Sequence, residues 1–93
     1  NLSDYLIALD EHGKDFTTRQ LAQNLEKWDM NGINTITFII GGSDGLATSI
    51  IQRAHQLWSL SKLTLPHRLA QVLLLEQLYR AIAINRGLPY HRD

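Results

Sequence analysis

Cysteine is absent from all 93 residues. That removes a disulfide framework and any thiolate metal site, and it fits a reducing compartment such as the cytoplasm. Proline is scarce, at two residues, and glycine amounts to six. No linker of either kind divides the chain, so a single domain is expected over residues 1–93. Long apolar runs are missing too. None approaches the ~20 residues that a membrane-spanning helix needs, and no signal-peptide pattern opens the chain, so no membrane role is expected. An initiator methionine is also lacking. Asn1 stands almost directly before an apolar segment, which gives the expectation of a chain that has lost an N-terminal portion. Domains this short bury only ~60–65% of the surface their unfolded form exposes, so stability is marginal without assistance.

Catalytic signatures are thin as well. The four histidines, His12, His55, His67 and His91, do not pair with one another or with Asp or Glu at a spacing typical of a metal site, and no metal is expected. Ser59, Ser61 and Thr64 lack a Gly-x-Ser-x-Gly elbow, which leaves hydrolase chemistry unsupported.

What is present begins with an uneven charge distribution. The net charge is zero. Residues 1–46 carry three Lys or Arg against seven Asp or Glu, whereas residues 47–93 carry six against two. A basic second half suits contact with phosphates, or is simply a set of solvated arginines.

Hydrophobic patterning supplies the fold class. Tyr5–Leu9 reads as a strand buried on both faces, and Asp10–Lys14 as turn chemistry. Thr17 or Thr18 caps a helix carrying Leu21, Ala22, Leu25 and Trp28, closed by Asn31-Gly32. Ile36–Ile40 is a second strand. After the Gly41–Gly45 turn, Ser43 or Asp44 is placed to cap a helix over about residues 45–56. Leu57–Leu65 holds a third strand and a loop. Pro66 then opens a helix from His67 to Asn85, ended by Gly87 and Pro89. Strand–helix alternation predicts an α/β fold, a parallel sheet with helices on both faces. Three strands make a thin sheet, again as though part were missing.

The last helix predicts a partner. Val72-Leu73-Leu74-Leu75 is flanked by Leu69, Leu78, Ala81, Ile82 and Ile84, more than one face of a surface helix needs. The helix is therefore a homodimer interface, or else a central core helix in a monomer.

Three places are candidates for chemistry. Gly-Gly-x-x-Gly at residues 41–45 lies at a strand's carboxyl end, where ligands of open α/β sheets gather. It matches neither the dinucleotide fingerprint nor a phosphate loop, and it serves equally as a tight strand-to-helix turn. His67 stands at a helix start, as a neutral donor to a ligand or as a capping-region residue. In the tail, Tyr90 offers a stacking face, His91 a titratable ring and Arg92 a phosphate fork, unless the terminus frays.

In order along the chain come Leu9-Asp10-Glu11-x-Gly13-Lys14, Ile40-Gly41-Gly42-Ser43-Asp44-Gly45-Leu46, and Ser59-Leu60-Ser61-Lys62-Leu63-Thr64-Leu65-Pro66-His67. Glu76-Gln77-Leu78-Tyr79-Arg80-Ala81 and Pro89-Tyr90-His91-Arg92 follow. This succession resembles the ribosomal large subunit methyltransferase H family, of the SPOUT class, over all 93 residues. The resemblance implies a C-terminal deep trefoil knot, an exception to the rule against knotted chains, and a homodimer. It also implies S-adenosylmethionine as cofactor, with Leu9 under it, Gly41 and Gly42 passing beside it, and Leu60, Ser61, Lys62, Leu63, Thr64 and Leu65 looping around the adenine. The implied reaction is methylation of N3 of a pseudouridine in 23S rRNA of the assembled ribosome. His67, Tyr90, His91 and Arg92 are then the candidates around the nucleotide, with Arg68 and Arg92 on phosphates. Family members carry further strands and a helix before the Leu9 strand. The competing expectations are a catalytically inactive dimeric scaffold that tolerates a bulky residue at Gly41, and a flavodoxin-like nucleotide binder.

Overall fold

A computed structural model describes residues 4–41 and 45–93. The elements are β1 (Asp4–Lys14), α1 (Thr18–Met30), β2 (Thr35–Ile40), α2 (Thr48–Arg53), β3 (Gln56–Trp58) and α3 (His67–Asn85). All strand pairings are parallel, in the order β2-β1-β3. The expected α/β alternation is therefore the observed one.

β1 occupies the middle of the sheet, and its composition shows why. Ile7, Ala8 and Leu9 are buried, and an apolar run without alternation suits a strand covered on both faces. Against β2 its register is regular, from Asp4 opposite Thr35 to Leu9 opposite Ile40. Against β3 it is not: Leu9 and Lys14 both pair with Trp58. The chain makes an excursion at residues 10–13 and then returns to the end of β3, where the Ser59 amide donates to the Lys14 carbonyl at 2.8 Å. Asp10–Lys14 is thus part of a long strand with an irregularity, not the free turn its composition suggested. Gly13 makes the return possible. A Cβ there would lie 2.6 Å from the Trp58 carbonyl carbon and 2.8 Å from that of Leu57, closer than side-chain atoms approach backbone.

α1 starts as its sequence dictates. The Thr17 hydroxyl accepts from the Gln20 amide and the Gln20 side chain accepts from the Thr17 amide, a reciprocal capping box. It ends at Asn31, with Gly32 at φ +81°, a conformation that glycine adopts without steric cost. Leu21, Ala22 and Trp28 turn inward to meet Ile7, Leu9, Trp58, Leu74 and Ala81. Aromatic rings knit this core: Phe16 lies 4.3 Å from Trp58, and Tyr5 5.1 Å from Trp28. Two polar ties lock α1 to α3. Thr18 Oγ1 donates to Gln77 Oε1 at 2.6 Å, and Asn85 Nδ2 donates to the Ala22 carbonyl at 2.9 Å.

β3 borrows a side chain to extend its pairing. His55 donates its amide to the Leu6 carbonyl and accepts the Leu6 amide on Nδ1, at 2.8 and 2.9 Å, while its ring stacks on Tyr5. An imidazole nitrogen stands where a carbonyl would continue the ladder.

α2 is shorter than expected, six residues instead of about twelve, and its N-cap is Ala47, with no side-chain cap bond. Ser43 and Asp44, the expected caps, lie outside the described residues, as does Gly42. β3 begins at Gln56 and is three residues long.

α3 matches its expected limits at both ends. Its buried positions are Ala70, Leu74, Ala81 and Ala83, mostly small, so it lies close on its neighbours. On the other side Leu69, Val72, Leu75, Tyr79 and Ile82 are exposed, Leu75 to 65%. Spaced by three or four residues, they form one stripe along the helix. In the single chain, the apolar excess legible in the sequence therefore faces outward.

Candidate functional site

Parallel strands open a crevice beyond their carboxyl ends, and here the excursion in β1 deepens it. A cavity of about 450 Å³ is lined by Leu9 and Ile40, the last pair of the β1–β2 register, and by Gly41. Asp10, Glu11 and His12 form one wall. Leu60, Ser61, Leu63, Thr64 and Leu65, from the β3–α3 loop, form the opposite one. Gly45, Leu46, Ile51 and Ala70 complete the lining. The volume falls within the roughly 300–1,000 Å³ typical of small-molecule sites, and the lining is about evenly divided between polar and apolar surface.

The loop wall is built by local hydrogen bonds. Ser59, buried, donates its hydroxyl to the Ser61 carbonyl at 2.8 Å, and Ser61 Oγ accepts the Leu63 amide at 2.9 Å. Among the described residues the two walls are bridged by Thr64 Oγ1 donating to Glu11 Oε2 at 3.3 Å. Across the same rim, Asp10 accepts from the His12 amide at 3.1 Å and from His12 Nδ1 at 3.0 Å.

Seven residues singled out by resemblance, Leu9, Gly41, Leu60, Ser61, Leu63, Thr64 and Leu65, are brought together around this cavity. Lys62 is not among them. Its ammonium turns away to Asp15 at 3.4 Å, an exposed pair. Gly41 has a structural reason of its own to be glycine: a Cβ would stand 2.9 Å from the Gly45 carbonyl carbon and 3.1 Å from the Leu46 amide nitrogen. A bulky residue there collides with backbone whether or not a ligand is bound, which removes tolerance at Gly41 as a mark of a scaffold.

His67 joins the rim indirectly. Its Nδ1 lies 3.1 Å from the Gly41 carbonyl. A carbonyl only accepts, so Nδ1 donates; in the tautomer whose single proton is on Nδ1, Nε2 is an acceptor. Arg68, next on the helix, is exposed.

The tail lies elsewhere, laid on α3. Tyr90 donates its hydroxyl to Glu76 Oε2 at 2.9 Å and meets the Tyr79 ring edge-on at 4.8 Å. The Arg80 guanidinium stands 4.7 Å over the Tyr90 ring and also reaches Glu76 at 2.6 Å. His91, its side chain 11% exposed, has both nitrogens engaged: Nδ1 accepts from Arg80 at 3.3 Å and Nε2 donates to Asp93 at 2.8 Å. Asp93 in turn takes a two-pronged grip from Arg19 of α1, at 3.0 and 2.8 Å. The charges respond accordingly. Hydrogen bonds from Arg19 and then His91 hold the Asp93 carboxyl down at about 2. Those from Arg80 and Tyr90 lower Glu76, and the Glu76 carboxylate raises the Tyr90 phenol. Arg92 is exposed.

Tyr90, His91 and Arg92, placed around a nucleotide by resemblance, therefore do not line the cavity of their own chain. Residues 10–12, which do, were hidden in the sequence by their turn-like composition. The one available signal was their place directly after the Leu9 strand end. Among the described residues no group of three or more His, Asp or Glu stands close enough to hold a metal ion. No helix there is long and apolar enough to cross a membrane.

Comparison with known proteins agrees with this architecture. A family model described as predicted SPOUT methyltransferase matches residues 1–91. The chain is similar to a ribosomal RNA large subunit methyltransferase H of Polynucleobacter necessarius, 57% identical over 88 residues, covering 95% of this chain and 64% of the relative. It is also similar to proteins of the same name from Methylobacillus flagellatus, 50% identical over 90 residues, and Hahella chejuensis, 51% identical over 90 residues. Each of these alignments covers 97% of this chain and 57% of the relative. The chain thus spans 57–64% of the length of these relatives.

Proposed function

This chain belongs to the SPOUT methyltransferase family, and from that premise we propose that its protein is an S-adenosylmethionine-dependent rRNA methyltransferase. The substrate is N3 of a pseudouridine in 23S rRNA of the assembled ribosome, and the working form is a cytoplasmic homodimer with a C-terminal trefoil knot. The observation that carries this is the cavity between Leu9, Gly41 and the Leu60–Leu65 loop. It supports a cofactor with one flat apolar part and one polar part. Leu9, Ile40, Leu60 and Leu65 supply apolar contact, while Asp10, Glu11, Ser61 and Thr64 supply polar groups.

The bound cofactor supplies a methyl group on a positively charged sulfur. The chain's residues supply the position. Gly41 permits β2 to turn sharply beside the cavity, and holding reactants in line can lower a barrier by several kcal/mol. His67, oriented by the Gly41 carbonyl, presents Nε2 as acceptor for the N3 proton. The exposed Arg68 and Arg92 are placed on phosphates. The apolar stripe Leu69, Val72, Leu75, Tyr79, Ile82 supports the homodimer, since a second copy presenting the same stripe buries both. Tyr90 packs directly on Tyr79 of that stripe, so pairing through α3 brings Tyr90, His91 and Arg92 to the dimer seam.

The test is transfer of labelled methyl from S-adenosylmethionine to ribosomes that lack the modification, with the position read by mass spectrometry of 23S rRNA fragments. Label at N3 of a pseudouridine is expected. Label on protein, on another base, or none with intact ribosomes sinks the proposal. Alanine at His91 or Arg92 is expected to depress transfer, and unchanged transfer removes both from the nucleotide site.

A further inference from the structure

The charge of the cavity lining is one-sided. Among the described residues, its charged side chains are Asp10 and Glu11, with no lysine or arginine. The one basic residue of the loop wall, Lys62, is held outside by Asp15. Each carboxylate has a partner at the rim. Thr64 ties Glu11 across the mouth, and Asp10, with its side chain 20% exposed, is pinned by two contacts from His12. The imidazoles at the rim are His12, largely exposed and paired with Asp10, and His67, held at the Gly41 carbonyl.

A methyl donor of the sulfonium type changes charge when it reacts. The sulfur–methyl bond breaks with its electron pair left on sulfur, the methyl–nitrogen bond forms, and the acceptor's proton leaves. The donor enters with a cationic sulfur and departs as a neutral thioether of nearly the same shape. We propose that the Asp10–Glu11 rim is a charge discriminator that holds the sulfonium donor and relaxes its grip on the thioether product. This rests on the cofactor use proposed above. Two carboxylates several ångströms from a cation act through partly solvated space, so the preference is modest and falls with added salt.

Calorimetric titration tests this at about pH 8, above the ordinary histidine range. The probes are S-adenosylmethionine, S-adenosylhomocysteine and an isostere with a protonated amine in place of the sulfonium. The native chain is expected to bind both cations at least about threefold more tightly than the thioether at low ionic strength, with the ratio shrinking in ~0.5 M salt. Glu11→Gln combined with Asp10→Asn keeps the shape of the rim and removes its charge. It is expected to bring the three affinities within about twofold of one another, with an unchanged circular-dichroism spectrum and urea midpoint as the check on folding. A native ratio near one, or a ratio the double variant does not alter, overturns the discriminator and leaves the cofactor use standing. Saturable binding of none of the three overturns the cofactor use, and the discriminator with it.

Discussion

The cavity and the C-terminal tail are built by opposite means. The cavity depends on backbone approach and apolar strand ends: Gly13 against Trp58, Gly41 against Gly45, and Leu9 and Ile40 in the lining. The tail depends on charges and hydrogen bonds, through the exposed pair Arg19–Asp93 and the partly buried pair Arg80–Glu76. Close packing is indifferent to salt and mild acid and intolerant of added atoms. Exposed ion pairs are the reverse. The difference teaches that one part of the proposed site is fixed by folding itself, while the other is held by contacts that ordinary solution conditions can loosen.

The largest effects should come from the packed region. Leu21→Ala removes a fully buried side chain from the core beneath the sheet and is expected to cost about 2–5 kcal/mol in urea unfolding. Gly13→Ala adds one carbon at 2.6 Å from backbone and is expected to cost about 1–3 kcal/mol. If Gly13→Ala unfolds at the native urea midpoint, β1 does not return to β3 as described. Both variants should leave the Tyr79–Tyr90 contact intact in whatever fraction remains folded, because neither position touches the two rings or the Glu76 carboxylate that holds Tyr90.

A second experiment attacks the tail without touching the core. Glu76→Ala removes the acceptor shared by Tyr90 and Arg80. The expected outcome is loss of Tyr79–Tyr90 cross-peaks in NMR spectra and faster carboxypeptidase trimming, with the urea midpoint little changed. Cross-peaks that persist would mean ring packing, not the carboxylate, fastens the tail.

Acid sharpens the same contrast. Asp93 titrates at about 2 in the folded chain, below the usual ~3.9 of an unfolded aspartate. A depressed carboxyl adds stability that is fully present above the unfolded value and is lost as pH falls through the folded one. The stability that the Arg19–Asp93 and His91–Asp93 contacts add should therefore be full above about pH 4 and fade below it, while in the folded chain the contacts themselves break only near about pH 2. Carbon-detected titration of the Asp93 carboxyl reads this directly. Arg19→Ala should move its midpoint upward toward the ordinary aspartate value. An unmoved midpoint would show that Arg19 does not hold the tail.

What could be read from the sequence follows the same division. The limits of α1 and α3 were legible because local residues set them: Thr17 with Gln20 at one start, Pro66 at the other, and Gly32 and Gly87 at the ends. The centre of β1 was legible from Ile7-Ala8-Leu9. The excursion at residues 10–13 was not, since it is fixed by β3, more than forty positions away, and a strand bent around its neighbour has the composition of a turn. α2 and β3 are too short for periodicity to mark. The tail's packing was illegible for a similar reason: Arg19 and Asp93 are 74 positions apart, and Tyr90, His91 and Arg92 look alike whether they fray or dock. Five of the six loop residues carried over by resemblance face the cavity, and Lys62 does not.

Lys62 gives the smallest and most discriminating prediction. If it belonged with the other loop residues around an adenine, its long side chain would lose packing and a hydrogen bond on truncation, and ligand affinity would fall several-fold. In the structure its ammonium lies 3.4 Å from Asp15, with both side chains more than half exposed. Exposed pairs of this kind contribute little to stability. Lys62→Ala is therefore expected to change the Kd for S-adenosylhomocysteine by less than about twofold. Removing this cation should also deepen the one-sided charge near the mouth, so the sulfonium donor should bind no worse. A several-fold loss for both ligands would place Lys62 inside the site and turn the loop wall around. A gain confined to the sulfonium donor would show that the Lys62 charge, even beside Asp15, reaches and weakens a rim that works by being negative.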